Sequence, residues 1–529
     1  MQAAYDAIVV GAGHNGLVAA AYLAKAGRRV LVLERRHVVG GAAATEEFHP
    51  GFRGPTGATL CGLLRPEIVR DLQLAAHGLQ VLPCDPEVVA LGEDGRALRL
   101  WNDPVKAQAE ISTFSTRDAE AYPRFASFLT RLAALADPIL ASTPPDLESL
   151  GIGDELFLLR RAWTARKLGK EGVGQAVRMV PMSVRAVLSE WFETDLLKAT
   201  LAIDALIGMC RGPWSPGTAF GLLHHYLPAA RRTSWSFVRG GMGNLSRALA
   251  SAAQAAGATI RTDAAVERIL VRDARVSGVQ LASGETMAAP TVLSNADPKR
   301  TFLQLVDPTE LGLEFTNRVR NIQMDGVVAK VNFALDAAPA IPGPGNGGPM
   351  APHFRIGPTL EYLERAYDDA KYGSMSARPF LDAVIPTVVD PDLAPAGKHV
   401  MSVLVQYAPY RLVKGTWDDH RERIGDTVAN LLEEHIPGFR KTVLGREVLT
   451  PADLERRFGL TGGHIYHGEM TLNQQFVLRP VPGWSQYRTP ITGLYLCGAG
   501  AHPGGGITGA PGYNAAHQVL RDRGRLAMG

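Results

Sequence analysis

The chain has 529 residues, enough for two or three domains with substantial cores. Its 46% hydrophobic and 20% charged content and formal net charge of +3 are ordinary for a globular protein and argue against a nucleic-acid partner. The four cysteines (Cys61, Cys84, Cys210, Cys497) are scattered with no C-x-x-C pair, which argues against a disulfide framework, a cysteine-rich zinc site or a redox dithiol, and suits a reduced, cytoplasmic setting.

The first predicted strand, Ile8 to Val10, begins seven residues after Met1, so no signal or transit peptide is expected. It runs into Gly11-Ala12-Gly13-His14-Asn15-Gly16 and then a helix packing through Leu17, Ala20, Leu23 and Ala24. In this pattern the first glycine permits the tight turn, the second lets backbone approach a pyrophosphate, and the third brings helix and strand together. The helix N-terminus adds unpaired N–H groups and partial positive charge. A second strand, Arg29 to Leu33, ends at Glu34, whose carboxylate can accept hydrogen bonds from ribose hydroxyls. Arg35 beside it suits a 2′-phosphate, but the acid at the strand end argues against NADP.

Gly40-Gly41-Ala42 lets backbone come close to the cofactor's pyrophosphate or ribitol. The stretch Phe48 to Thr59, which contains Thr56 and Gly57, then breaks the strand–helix alternation that an NAD-dependent dehydrogenase should maintain. From about Ala107 to His225 the pattern is helical. Within it, Leu156 to Leu168 mixes apolar residues with Arg160, Arg161, Arg166 and Lys167. This segment reads either as an interfacial helix on an anionic membrane or, by preference, as a lid helix packed on its own domain. No run reaches the roughly 20 apolar residues of a spanning helix.

Phe237 to Asn244 reopens the cofactor domain, and a helix follows to Ala256. Strands at Thr259–Arg261, Val266–Val271, Val276–Leu281 and Thr291–Leu293 read as a small meander leading into Ser294-Asn295-Ala296-Asp297-Pro298, an arrangement more typical of flavoproteins. Val327–Phe333 and Val400–Tyr407 alternate as strands, His420–His435 reads as a helix, and Ile341–Pro352 reads as a surface loop because its prolines lack the N–H of a phosphate cradle. Near the C-terminus, Gly493 to Gly500 is a buried strand entering a glycine loop, and His502 to Ala510 carries three consecutive glycines before a helix predicted from about Tyr513. Such glycines can press backbone against a flat ring, and the helix N-terminus can stabilise negative charge on its edge. The two ends of the chain are therefore expected to build one site.

With these residues the chain resembles the phytoene desaturase-like FAD oxidoreductases of the wider amine oxidase superfamily. Within that group it most resembles the branch called pyridine nucleotide-disulfide oxidoreductase domain-containing protein 2. Besides the glycine fingerprints, the resemblance rests on Leu63-Leu64-Arg65-Pro66, Gly240-Gly241-Met242-Gly243, the 294–298 motif, Gly462 to Glu469, and Gly498 to Asn514. The branch's name mentions disulfide chemistry, which a chain without vicinal cysteines does not inherit. The resemblance implies an α/β fold, with a Rossmann-like FAD-binding domain in discontinuous segments (1–100, 236–300, 485–529). A mixed α+β substrate domain with a helical lid takes up 101–235 and 301–484. It also implies bound FAD and redox chemistry on C–H bonds of an apolar, often polyene, substrate, commonly at a membrane surface. Residues assigned to FAD are Gly11, Ala12, Gly13, His14, Asn15, Gly16, Glu34, Arg35, Gly41, Ala42, Thr56, Gly57, Val266, Asn295, Gly498, Gly500, Gly505, Gly506 and Ile507.

The expected reaction is dehydrogenation of a C–C bond with hydride transfer to flavin N5. The candidate acids and bases are His464, His467 and Glu469, with Tyr466 in the same cluster, and His502 in the loop beside the ring. His464, His467 and Glu469 also resemble a metal trio, but no second ligand group has recognisable spacing and no metal is assigned. No G-x-S-x-G elbow supports a serine nucleophile. Three alternatives stay open: a flavin amine oxidase, a redox-neutral flavin isomerase, and an FAD-binding protein acting through partners. The sequence leaves the oligomeric state undetermined.

Overall fold

The computed structural model describes residues 5–147, 150–231, 233–341 and 351–526. Positions 342–350, most of the stretch read as a surface loop, lie outside the described residues.

A five-stranded parallel sheet organises the cofactor half. Its order is Leu494–Leu496, Val292–Ser294, Ala7–Val10, Val30–Leu33, Thr259–Arg261. Ala7–Val10 and Val30–Leu33 are buried throughout, as a parallel sheet covered on both faces requires. The central strand pairs Ile8 with Val292 on one side and Leu31 on the other, and Val292 in turn pairs with Leu494. Segments nearly 500 residues apart in sequence are thus joined in one sheet through Val292–Ser294. The helices His14–Lys25, Met242–Ala255 and Ala510–Leu526 cover it. The last begins at Ala510, three residues before its predicted start, where Thr508 Oγ1 accepts the Ala510 N–H.

The meander differs from its sequence reading. Val266–Arg272, Arg275–Leu281 and Thr286–Ala288 form a separate antiparallel sheet. Thr259–Arg261 and Val292–Ser294 belong instead to the parallel sheet on either side of it.

The second half is built on a seven-stranded sheet, ordered Val443–Leu449, Val328–Leu335, His399–Gln406, Phe380–Val384, His353–Ile356, Val88–Leu91, Ala97–Leu100. Residues 88–100, expected in the cofactor domain, therefore pair here, with Arg355 opposite Ala90. Side chains alternate across each strand. Ala329, Val331, Phe333, Leu381, Ala383, Val403 and Val405 pack into one core beneath the helix Trp417–His435. Lys330, Leu404, Asp382 and Arg355 stand in register across four adjacent strands and face the other way, into a cavity.

Helices between Pro104 and Ala230 close this half, with Phe125, Leu129, Leu197 and Leu222 in their shared core. One of them departs from the preferred expectation. Ile152–Ala165, read as a helix packed on its own domain, buries no side chain: Ile152, Leu159 and Trp163 are 79%, 65% and 66% exposed. Among the described residues no helix is long and apolar enough to cross a membrane.

Candidate functional site

One cavity of about 400 Å³ lies between the two halves, a size suited to a small molecule or cofactor. Gly11, Gly13, His14, Asn15, Glu34, Arg35, Gly41, Ala42, Gly57, Val266, Asn295, Gly505, Gly506 and Ile507 all line it. The N-terminal and C-terminal glycine motifs thus face one space.

The cradle fits a dinucleotide. A Cβ on Gly13 would come within 2.6 Å of Asn295 Nδ2, so only glycine leaves the backbone open there. His14 Nε2 and Asn15 Oδ1, in the first turn of the helix His14–Lys25, are buried without a partner among the described residues. Unsatisfied polar atoms at a helix N-terminus beside a glycine loop suit an anionic group. Glu34 is buried at the strand end, and its two oxygens accept the backbone N–H groups of Ala12 (2.8 Å) and Arg36 (3.0 Å). A carboxylate retains further lone pairs for ribose hydroxyls. On the far side Gly505 presses on Tyr466, where a Cβ would lie 2.2 Å from Cδ1.

A model of the flavin containing amine oxidoreductase family matches residues 16–520. The chain belongs to this family. It is 45% identical to pyridine nucleotide-disulfide oxidoreductase domain-containing protein 2 of Rattus norvegicus, over 98% of this chain and 94% of that one. It is 30% identical to one of the subunits of limonene dehydrogenase from Castellaniella defragrans, over 98% and 95% of the two chains. Among solved structures, cyclohexylamine oxidase from Brevibacterium oxydans superposes with a TM-score of 0.56 at 16% identity, covering 98% of each chain, which establishes a shared fold. The protein is an FAD-dependent oxidoreductase, and FAD is its cofactor.

Not every family residue named from sequence lies on the cavity wall. Ala12, Gly16, Thr56, Gly498 and Gly500 sit behind it. Ala12 joins the glycine loop to Gly40 through its carbonyl and to Glu34 through its N–H, and Thr56 Oγ1 donates to Ala44 O. Gly16, Gly498 and Gly500 are close-packing points: a Cβ there would meet Gly11 O at 2.3 Å, Asn295 O at 2.6 Å and Pro298 Cδ at 2.3 Å. Arg35 reaches the wall, but its Nη2 donates to the carbonyls of Arg456 and Arg457 at the end of the helix Pro451–Phe458.

The catalytic candidates divide. His467 lines the cavity with a left-handed backbone (φ 56°), and its Nδ1 has no partner among the described residues; Ile507 also lines the cavity, with φ 58°. Such strain in a non-glycine residue persists only where the surroundings enforce it. Burial holds the imidazole of His467 down near 4, and burial with the neighbouring His467 does the same to His14, so both are neutral near pH 7. By contrast His464, Glu469 and His502 are buried off the wall. His464 Nε2 lies 3.6 Å from Glu469 Oε1, and that oxygen accepts the Cys210 N–H at 2.8 Å. His502 Nε2 contacts the Ile139 carbonyl at 3.2 Å. These three contact the backbone of loops around the cavity and are not among its lining residues.

Two residues that the sequence reading passed over matter more. Lys330 lines the cavity, its Nζ donating to Gly57 O at 2.5 Å. Burial pushes its ammonium down to about 7, against the upward pull of Glu447 and Asp382. Arg479, also buried, spreads its guanidinium over the carbonyls of Tyr466, Gly468, Glu469, Gln474 and Ala499, tying the His467 loop to the glycine loop. Lys330 occupies a polar place in an alternating strand, a pattern that usually marks a solvent face. Arg479 carries no local signal.

Proposed function

We propose that the enzyme dehydrogenates a C–C bond of an apolar, polyene- or lipid-like molecule. The observation that carries this reading is the wall of the cavity beyond the cofactor cradle. Leu60, Leu63, Ile207, Met209, Val328, Leu404 and Ile465 line it, so an apolar body is bound there by exclusion from water. The relative that forms part of a limonene dehydrogenase supports a hydrocarbon-like substrate. FAD, when bound, supplies hydride acceptance at N5. Lys330 Nζ, whose charge changes near neutral pH, is the group on this wall best placed to hold or release a proton. The neutral His467 offers on the same wall an Nδ1 that has no partner among the described residues.

The exposed helix Ile152–Ala165 fits a lipid source for such a molecule. Its apolar residues are open and Arg160, Arg161, Arg166 and Lys167 are close by, the composition of an interfacial helix.

The test is anaerobic reduction of the holoenzyme followed at the flavin bands. Bleaching by a terpene or polyene and not by alkylamines is the expected result. Bleaching by amines alone would replace this reading with amine oxidation.

A further inference from the structure

Six ionisable residues close a loop of contacts at the cavity wall. Glu87 Oε1 meets His225 Nε2 at 2.9 Å, and His225 Nδ1 meets Asp204 Oδ1 at 3.1 Å. Arg355 Nη1 reaches Asp204 Oδ1 at 2.6 Å, and its Nε donates to Asp382 Oδ1 at 2.6 Å. His353 Nε2 meets the same Asp382 oxygen at 2.8 Å, and its Nδ1 returns to the Glu87 carbonyl at 2.7 Å. All but Glu87 line the cavity.

Burial works against the charges of Glu87, His225, Arg355 and Asp382, and their partners outweigh it. Asp204 and Glu87 raise the imidazole of His225, while Arg355 and His353 hold the carboxyl of Asp382 well below its usual range. Both nitrogens of each histidine face oxygens of the loop: His353 bonds the Glu87 carbonyl and Asp382, while His225 lies at ion-pair distance from Glu87 and Asp204, whose Oδ1 makes no hydrogen bond among the described residues. Each of the three carboxylates already has a guanidinium or imidazole partner within the loop. A carboxylate or ammonium on a ligand would find no unmatched counter-charge and would still lose its water.

The loop keeps free hydrogen-bonding capacity. Among the described residues, Arg355 Nη2 and Asp382 Oδ2 make no hydrogen bond, although both residues line the cavity. One group can meet a donor and an acceptor together: a hydroxyl, which accepts from the guanidinium and donates to the carboxylate. A hydrocarbon end would leave both unmatched. Leu404 stands between Asp382 and Lys330 in register, so anchor and lysine are two strand spacings, about 9–10 Å, apart. An apolar body of roughly that length would span them.

We propose that the substrate is an apolar molecule bearing a neutral hydroxyl, which seats on Arg355 and Asp382. This deepens the reading of an apolar substrate and rests on it. The experiment uses the FAD-loaded enzyme at pH 7.5 and four probes with one ten-carbon skeleton: limonene, perillyl alcohol, perillate and protonated perillylamine. Affinity is read from perturbation of the bound flavin's visible spectrum, whether or not any probe is turned over. Perillyl alcohol should bind at least tenfold more tightly than each of the other three. The Asp382→Asn variant, at equal flavin content, should narrow that advantage to less than threefold. If this variant fails to retain flavin, the ranking in the unaltered enzyme decides alone. Limonene or either ion binding as tightly as the alcohol, or no perturbation by any probe, overturns the proposal. Flavin bleaching by amines alone would instead overturn the C–C dehydrogenation reading, and this affinity ranking could survive that result.

Discussion

Gly13 and Asn295 meet across the cofactor cradle so closely that a Cβ on the glycine would lie 2.6 Å from the amide nitrogen. They come from two strand ends, since Ala7–Val10 and Val292–Ser294 pair in parallel and release their loops on the same side. In open α/β sheets that is where ligands bind. Gly13→Ala should therefore lower FAD affinity at least tenfold, because the methyl must push Asn295 or the cofactor aside. Flavin content after dialysis, with the parent chain alongside, checks this. Full retention of flavin would remove Gly13 from the cradle.

Lys330 gives a dependence of stability on pH. Its folded value of about 7 lies below the ordinary 10.5, so between these values the unfolded chain binds more protons. This group's contribution to stability therefore rises as pH climbs from 7 toward 10.5, by an amount on the order of a few kcal/mol. Lys330→Met should remove that slope. The measurement is the difference in Tm between pH 7 and pH 9.5 for both proteins. The variant should gain less than the parent on going to the higher pH, and equal gains would show that the lysine is not desolvated.

Arg479 makes a third case. Replacing it with methionine leaves five buried carbonyls short of a donor, each costing roughly 1–3 kcal/mol when no other partner reaches it. Arg479→Met should lower stability by at least about 3 kcal/mol and release FAD, since the loops carrying His467 and Gly505 lose their common tie. Thermal unfolding at fixed scan rate with flavin release as a second probe decides it. A Tm within two degrees or so of the parent would refute the assignment.

The cofactor half was legible because its signals are local. A continuous apolar strand, a glycine fingerprint and a strand-end acid lie within the first 34 residues, and each has one physical meaning. The substrate wall was not legible, because its register comes from strands far apart in sequence. Val328-Ala329-Lys330-Val331-Asn332 alternates as a half-exposed strand would, yet Lys330 faces a buried cavity and Asn332 is buried in hydrogen bonds to Pro55 O and Ser402. His464 and Glu469 drew attention for the reverse reason: a dense titratable cluster is also what buried groups look like when they accept backbone N–H groups of nearby loops, here those of Tyr466 and Cys210. Val88–Leu91 and Ala97–Leu100 are too short to declare which sheet they join until Arg355 pairs with Ala90.

The helix Ile152–Ala165 leaves Ile152, Leu159 and Trp163 open to water, and each is worth roughly 1.5–3 kcal/mol if transferred to an apolar phase. Arg160, Arg161, Arg166 and Lys167 add about 1 kcal/mol apiece near an anionic surface, and none forms an ion pair among the described residues. The parent should co-sediment with vesicles containing anionic lipid, less so as salt is raised, because the charge attraction is screened within about 8 Å at physiological ionic strength. Changing the four basic residues to glutamine should lower the bound fraction severalfold while flavin content stays constant. Binding unchanged by both salt and the substitutions would mean that this helix does not face lipid.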